Sequence, residues 1–318
     1  MQVYRSLTDI PEGSFAEGTA IAIGKFDGVH RGHRALLDGI AAAAAQRGLE
    51  PLVFTFENNP LGYLRPDACP DPIMSPRQRI DALAAAGASS CLMVPFDAAI
   101  AEMPAGEFIE RVLVEMLRVR YLCLGADFRF GRGGAGDAAM LARAGERFGF
   151  SVEVIGEVED PGDPESGRVS SSRIREAILR GDVVAAGRMM GRPVSVRGEV
   201  VHGDARGREL GFPTANLGGG IEGLVPADGV YAGWAIVDGV RYGAAISVGV
   251  NLTFEPEGVP RVEAYLLDFS GDLYGKRIEV RFVERLRGMV AFAGVEALIE
   301  RMHDDVRRTR ELLSAAST

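Results

Sequence analysis

Gly24-Lys25-Phe26-Asp27-Gly28-Val29-His30-Arg31-Gly32-His33 decides how the first half of this chain is read. The apolar run Thr19-Ala20-Ile21-Ala22-Ile23 precedes it, and an alanine-rich segment, residues 35–47, leads from it to Gly48. Strand, glycine-bearing turn, then helix is an order that presents backbone N–H groups and the positive end of a helix dipole to an anion. His30 and His33 lie three apart, so at a helix start they face one side and both reach one phosphate. Gly28 and Gly32 let the backbone turn tightly and approach a ligand. Zinc is the rival chemistry, and it asks for three or four ligands. Only His202 and His303 remain among the histidines, and Cys69, Cys91 and Cys123 form no C-x-x-C pair. The stretch reads as a nucleotide phosphate site.

Around it, 318 residues leave room for about two domains, each with its own core. A hydrophobic share of 47%, with no apolar run long enough to span a bilayer, gives a globular chain and no membrane partner. Met1-Gln2-Val3-Tyr4-Arg5 lacks a signal-peptide layout, and three scattered cysteines make no disulfide framework. A cytoplasmic protein is therefore expected. The net charge of −9 speaks against a nucleic-acid binder, which shows a basic face.

Downstream, strand-like and helix-like segments alternate. Strands are expected at 51–56, 91–94, 121–124 and 152–158. Helices are expected from Ser75-Pro76 to about Gly87, at 107–118 with Phe108, Val112 and Met116 in register, and at 138–148. Such alternation predicts a parallel sheet wrapped by helices, with ligands at the carboxyl ends of the strands. One or two helices over 172–190 close this first domain, residues 1–190. After Gly191-Arg192-Pro193 the texture changes to short β-rich runs separated by glycine, at 196–202, 229–237, 242–250, 261–269 and 276–283. These predict a small antiparallel barrel over 191–318. A terminal helix over 295–313 carries Leu298, Met302, Val306 and Leu313 on one face.

Three further stretches carry chemistry. Gly125-Ala126-Asp127-Phe128-Arg129-Phe130-Gly131 follows a strand and enters a glycine-rich loop that can wrap a ligand; on composition alone it is also an ordinary surface loop. Ser170-Ser171-Ser172-Arg173-Ile174-Arg175 begins a helix. Its hydroxyls and amides can hold phosphate, although in isolation it is a cluster of capping serines. In Leu210-Gly211-Phe212-Pro213-Thr214-Ala215-Asn216, extended backbone turns Thr214 and Asn216 to the same side. Their neutral oxygens suit Mg²⁺ beside a phosphate chain, or merely cap a turn.

Together these segments resemble the bacterial bifunctional riboflavin kinase/FAD synthetases. G-x-F-D-G-V-H-x-G-H, G-x-D/N-F-x-F-G and a serine-rich I-S-S-T-x-x-R motif are similar to the adenylyltransferase module, which belongs to the H-x-G-H nucleotidyltransferases. Ser172 replaces the threonine of the last motif and keeps the hydroxyl. In Thr55-Phe56-Glu57-Asn58-Asn59-Pro60, Asn58 stands where that family has proline. Phe212-Pro213-Thr214-Ala215-Asn216 resembles the P-T-A-N signature of riboflavin kinases, which are six-stranded barrels; 226–231, 247–251, 262–268 and 272–275 match other segments of that family. Leu252 departs from its usual proline.

The resemblance implies ATP and phosphate contacts from Gly24, Phe26, Asp27, Gly28, Gly32, Ser171, Ser172 and Arg175, and in the barrel from Gly198, Gly203, Gly207 and Arg208. It implies Asn59, Asp127, Phe128 and Tyr231 on the flavin, Thr214 and Asn216 on Mg²⁺, Glu263 as base, and His30 and His33 as catalytic donors. Riboflavin and ATP are the expected partners, FMN the intermediate and FAD the product, in a monomer or weak homo-oligomer. Two alternatives remain at this point: nucleotidyl transfer to another phosphorylated acceptor, and a flavin-binding regulator without turnover.

Overall fold

β2 (Thr19–Ile23) and β4 (Ser90–Val94) are buried at every residue. That is why they read as unbroken apolar or small runs: a parallel strand covered on both faces has no solvent side to alternate with. The computed structural model describes residues 1–163, 167–203, 207, 210–249 and 261–315. By its internal contacts the chain divides into Met1–Val169 and Ser170–Thr318.

In the first unit β1 (Gln2–Tyr4), β2, β3 (Glu50–Phe56), β4, β5 (Val119–Gly125) and β6 (Ser151–Ile155) form one sheet in the order β1-β4-β3-β2-β5-β6. Every neighbouring pair is parallel. β1 is too short to stand out in the sequence, and its edge position against β4 comes from pairing alone. Chain order runs outward in opposite directions from β2, with β3 on one side and β5 on the other. A crevice opens at the carboxyl ends of strands at such a switch point.

The helices are α1 (Arg31–Arg47), α2 (Pro60–Leu64), α3 (Pro76–Ala85), α4 (Ala98–Ala101), α5 (Ala105–Glu107) and α6 (Ala138–Phe148). Gly48 ends α1 and Gly149 ends α6 in the left-handed conformation, which glycine adopts without a Cβ penalty. The helix expected over 107–118 is present but wound differently. From Phe108 to Met116 it is π-helical, and the Leu117 N–H donates to the Val112 carbonyl, five residues back. The wider turn carries Met116 out to solvent and puts Leu117 inside in its place.

In the second unit, α7 (Ser171–Leu179) and α8 (Val183–Met190) precede β7 (Val194–Val201), β8 (Thr214–Glu222), β9 (Gly229–Val237), β10 (Val240–Gly249), β11 (Arg261–Leu266) and β12 (Arg277–Arg287). The six strands close an antiparallel barrel in the order β10-β11-β8-β7-β12-β9. α8 packs on β7 and β12, so by contacts α7 and α8 group with the barrel.

α9 (Val295–Ala315) lies on β9 and β10. Its most buried ridge is Asp305, Thr309 and Leu313 rather than the fully apolar stripe expected. The Arg287 guanidinium holds the Asp305 carboxylate at 2.7 and 3.0 Å, and the Thr309 hydroxyl donates to the Asp305 carbonyl. Leu298, Met302 and Val306 are half-buried beside that ridge.

Candidate active sites

The loops after β2, β3 and β5 all leave the same end of the parallel sheet. The first is the His-bearing turn. Phe26 and Val29 have φ of 51° and 37°, unusual for residues with side chains, and Gly28 has φ of 85°. A Cβ on Gly28 would also lie 3.2 Å from the Ile73 side chain. Phe26 is wholly buried and its ring packs 4.9 Å from that of His33.

His30 is the N-cap of α1. Its Nδ1 accepts from the His33 N–H at 3.3 Å, and the His33 Nδ1 accepts from the His30 N–H at 3.3 Å. The two rings stack with centroids 3.7 Å apart. This is a capping box built from imidazoles, and it has a chemical consequence. An Nδ1 that accepts has no proton in the neutral ring, so the neutral rings carry theirs on Nε2.

The other predicted residues make local contacts of their own. Asp27 Oδ1 accepts from the Ile73 and Met74 N–H groups at 2.9 and 3.3 Å, tying the approach to α3 to the turn. Asn58, at the family's proline position, bonds both backbone groups of Phe96 through its side-chain amide, at 2.8 and 3.0 Å. It therefore latches the loop after β3 to the loop after β4. Asn59 caps α2 by accepting from the Leu61 N–H. After β5, Asp127 pairs with Arg168 at 2.7 Å and Phe128 stacks on Phe130 with centroids 5.7 Å apart. Ser170 caps α7, whose first turn carries Ser171, Ser172 and Arg175 on the second unit's side of the contact division.

Arg79 on α3 was not picked out in the sequence. It is 6% exposed, and its guanidinium donates to the Lys25 carbonyl at 2.9 Å and to the Glu57 carbonyl at 2.5 Å. Burial lowers its pKa, partly offset by Asp27, Cys91 and Glu57. The only signal for it was position: it stands four residues before Leu83, on the inward ridge of α3.

In the barrel, β8 and β11 pair so that Asn216 lies opposite Glu263. The Thr214 hydroxyl donates to Glu263 Oε2 at 3.3 Å, and the Asn216 amide donates to the Thr214 carbonyl at 3.4 Å. Asn216 Oδ1 is buried and has no hydrogen-bond partner among the described residues. A Cβ on Gly203 would lie 2.6 Å from the Asn216 amide, so only glycine lets the chain lie against that side chain. Likewise a Cβ on Gly207 would meet the Phe212 carbonyl at 2.4 Å, while the Phe212 N–H donates to the Gly207 carbonyl. Gly198 passes close to Leu217.

Tyr231 is fully buried inside the barrel, its hydroxyl donating to the Ala227 carbonyl. Arg208, together with the segment holding Asn251 and Leu252, lies outside the described residues. Among the described residues no cluster of three His, Cys, Asp or Glu side chains is set to hold a metal. The orphaned Asn216 oxygen beside the Thr214 hydroxyl is a hard, neutral donor pair, and it fits Mg²⁺ with phosphate oxygens completing the shell.

A histidine-capped helix at the switch point of a parallel sheet and a closed barrel in which Glu263 pairs with Asn216 define a two-part protein, α/β in one part and β-barrel in the other. The FAD synthetase family matches residues 13–173 and the riboflavin kinase family residues 190–313. The bifunctional riboflavin kinase/FMN adenylyltransferase of Pseudomonas fluorescens is 36% identical over 318 residues, 100% of this chain and 99% of its own length. That of Escherichia coli (strain K12) is 36% identical over 315 residues, 98% and 97% of the two chains. A Streptococcus pneumoniae crystal structure titled as a macrolide-efflux protein superposes with a TM-score of 0.83 at 32% identity, covering 97% of this chain and 98% of that one. No described helix is long and apolar enough to cross a membrane. The chain belongs to the bifunctional riboflavin kinase/FMN adenylyltransferase family.

Proposed function

We propose that this chain converts riboflavin to FMN in its barrel and FMN to FAD at the His-bearing turn, using ATP in both steps. The observation that carries the first step is the pairing of Glu263 with Asn216 across β11 and β8, with Thr214 bonded to the carboxylate. In that step the riboflavin 5′-hydroxyl attacks the γ-phosphorus of ATP, Glu263 takes the hydroxyl proton, and ADP leaves. Glycine at 203 and 207 keeps the chain close to Asn216 and Phe212, leaving room for the phosphate chain, and the family resemblance adds Gly198 and Arg208 to the phosphate contacts. Mg²⁺ held by Thr214 and Asn216 supplies, when bound, charge that neutralises the transferring phosphoryl group.

In the second step an FMN phosphate oxygen attacks the α-phosphorus of ATP and pyrophosphate leaves. The attacking oxygen is already ionised near neutral pH, so positioning and charge stabilisation matter more than a base. The two Nε2–H groups of His30 and His33 and the amides of the first turn of α1 stabilise the developing charge. Gly24, Phe26, Asp27, Gly28 and Gly32 shape the turn that receives the phosphates, and the family resemblance gives Ser171, Ser172 and Arg175 as ATP and phosphate contacts. Asn59, Asp127 and Phe128 form the flavin side of this half. Tyr231 serves the flavin of the barrel by fixing the turn at Ala227.

The adenylyltransferase half is taken as residues 1–190 and the kinase half as 191–318. The protein works in the cytoplasm as a monomer or weak homo-oligomer, without nucleic acid or membrane. A time course resolves the reading: with riboflavin, ATP and Mg²⁺, chromatography is expected to show FMN and then FAD. FMN alone would remove the second step; neither product would remove both.

A further inference from the structure

Arg79 has an arrangement that the two reactions leave unexplained. It is a buried guanidinium with no carboxylate in ion-pair range among the described residues. Its Nε has no hydrogen-bond partner among the described residues, and its two remaining nitrogens each hold a main-chain carbonyl. Leaving a donor unmet inside a protein is costly, and burying a cation with no carboxylate in direct contact more so.

The two carbonyls are not arbitrary. That of Lys25 belongs to the peptide leading into Phe26, the left-handed residue of the phosphate turn; that of Glu57 leads into Asn58, the latch of the loop after β3. The Thr55 hydroxyl, from the end of β3, donates to the same Lys25 carbonyl at 3.1 Å. The turn thus has a peg on each flank: Asp27 grips the approach to α3 through Ile73 and Met74, and α3 grips the turn back through Arg79. An arginine is the one side chain whose rigid fork reaches two carbonyls at once, and a lysine ammonium does not reproduce that span.

We propose that Arg79 is a positioning residue for FMN adenylylation: it locks the loops after β2 and β3 in mutual register, so that the phosphate turn and the loop bearing Asn58 and Asn59 meet their ligands as one rigid surface. The inference rests on the proposed adenylyl transfer at His30 and His33.

The test uses the full chain and three variants, Arg79→Lys, Arg79→Gln and Thr55→Val, with thermal unfolding and both reactions measured on each. Misplacing a binding loop by about an ångström costs on the order of 100-fold in rate. Arg79→Gln is therefore expected to lose about 100-fold in kcat for FAD formation from FMN, and Arg79→Lys about 10-fold, each exceeding its change in KM for ATP. Thr55→Val, which removes one of two donors to Lys25, is expected to lose a few-fold. Riboflavin phosphorylation stays at the unmodified level in all three, and where Arg79→Gln fails to fold the other two decide. An Arg79→Lys chain that unfolds earlier but keeps full kcat would make the residue a structural staple only and overturn the inference. An unmodified chain that makes no FAD from FMN overturns instead the reading on which it rests.

Discussion

His33 does two jobs that a pair of substitutions separates. Its Nδ1 accepts the His30 N–H at 3.3 Å and so closes the start of α1; its Nε2–H is the donor assigned to the phosphate. Replacing His33 with alanine removes both. Loss of a capping acceptor costs about 1 kcal/mol. In a unit of the size of Met1–Val169 that corresponds to a fall of about 2–4 °C in Tm. Loss of a donor aimed at transition-state charge costs about 10²–10³-fold in rate, or about 3–4 kcal/mol, so the effect on catalysis exceeds the effect on stability.

Glutamate at the same position pulls the two apart. At the third residue of a helix it reaches back to the cap N–H and favours the dipole, so His33→Glu is expected to unfold at a higher temperature than His33→Ala. It offers the phosphate an anion instead of a donor, and FAD formation is expected to fall further, not recover. Both are read by thermal unfolding and by FAD formation from supplied FMN. A His33→Glu chain that made FAD as fast as the unmodified one would show the ring to be only a cap, and the assignment of phosphate chemistry to His33 would be wrong.

Three more outcomes follow from other parts of the molecule. Excess chelator is expected to halt FMN formation from riboflavin, because Thr214 and Asn216 bring only neutral oxygens and, among the described residues, no cluster of three His, Cys, Asp or Glu stands in; undiminished FMN would refute the metal's place. Asp305→Ala leaves the Arg287 guanidinium, 13% exposed, without its carboxylate, and is expected to destabilise the barrel unit by about 3–5 kcal/mol; Trp234, the single tryptophan, lies in β9 and reports the transition. Burial alone would raise the Glu279 pKa, but Arg281 and Arg197 hold it below the ordinary 4.5, so its stabilisation is complete above that value and is lost as pH falls through the lower one. Acid unfolding of Glu279→Gln is accordingly expected to depend less on pH as the pH falls below the ordinary carboxylate range.

Much of this was legible in the sequence, because local chemistry and global fold agree at those places. The β2–turn–α1 segment, the proline-started α3 and the helix Ala138–Phe148 carry their own caps, apolar runs and stop signals. Thr214 and Asn216 share a side because strands alternate, and β8 pairing with β11 then brings Glu263 to them, a juxtaposition that only the register reveals. What escaped was set by neighbours. Met116 satisfied a 3.6-residue period that the π-helical turn does not keep. On α9 a charged residue, Asp305, is buried because Arg287 meets it from another element, which no single-helix pattern encodes. Asn58 looked like a departure from a proline pattern; its role appears only with Phe96 beside it. Arg79 stands among charged or polar neighbours that give it no distinction, and its partners are carbonyls, which leave no mark in side-chain chemistry.

The central claim is that two separate sites on one chain act in sequence, and a mixing experiment tests it most directly. Glu263→Gln keeps size and hydrogen bonding but cannot take the proton, so riboflavin phosphorylation is expected to fall by about 10²–10⁴-fold while FMN adenylylation persists. His33→Ala is expected to do the reverse and accumulate FMN. Given riboflavin, ATP and Mg²⁺ for the time in which the unmodified chain completes conversion, neither variant alone should yield appreciable FAD, and the two mixed should yield it. A mixture that makes no FAD, or Glu263→Gln alone converting riboflavin to FAD, would contradict the account.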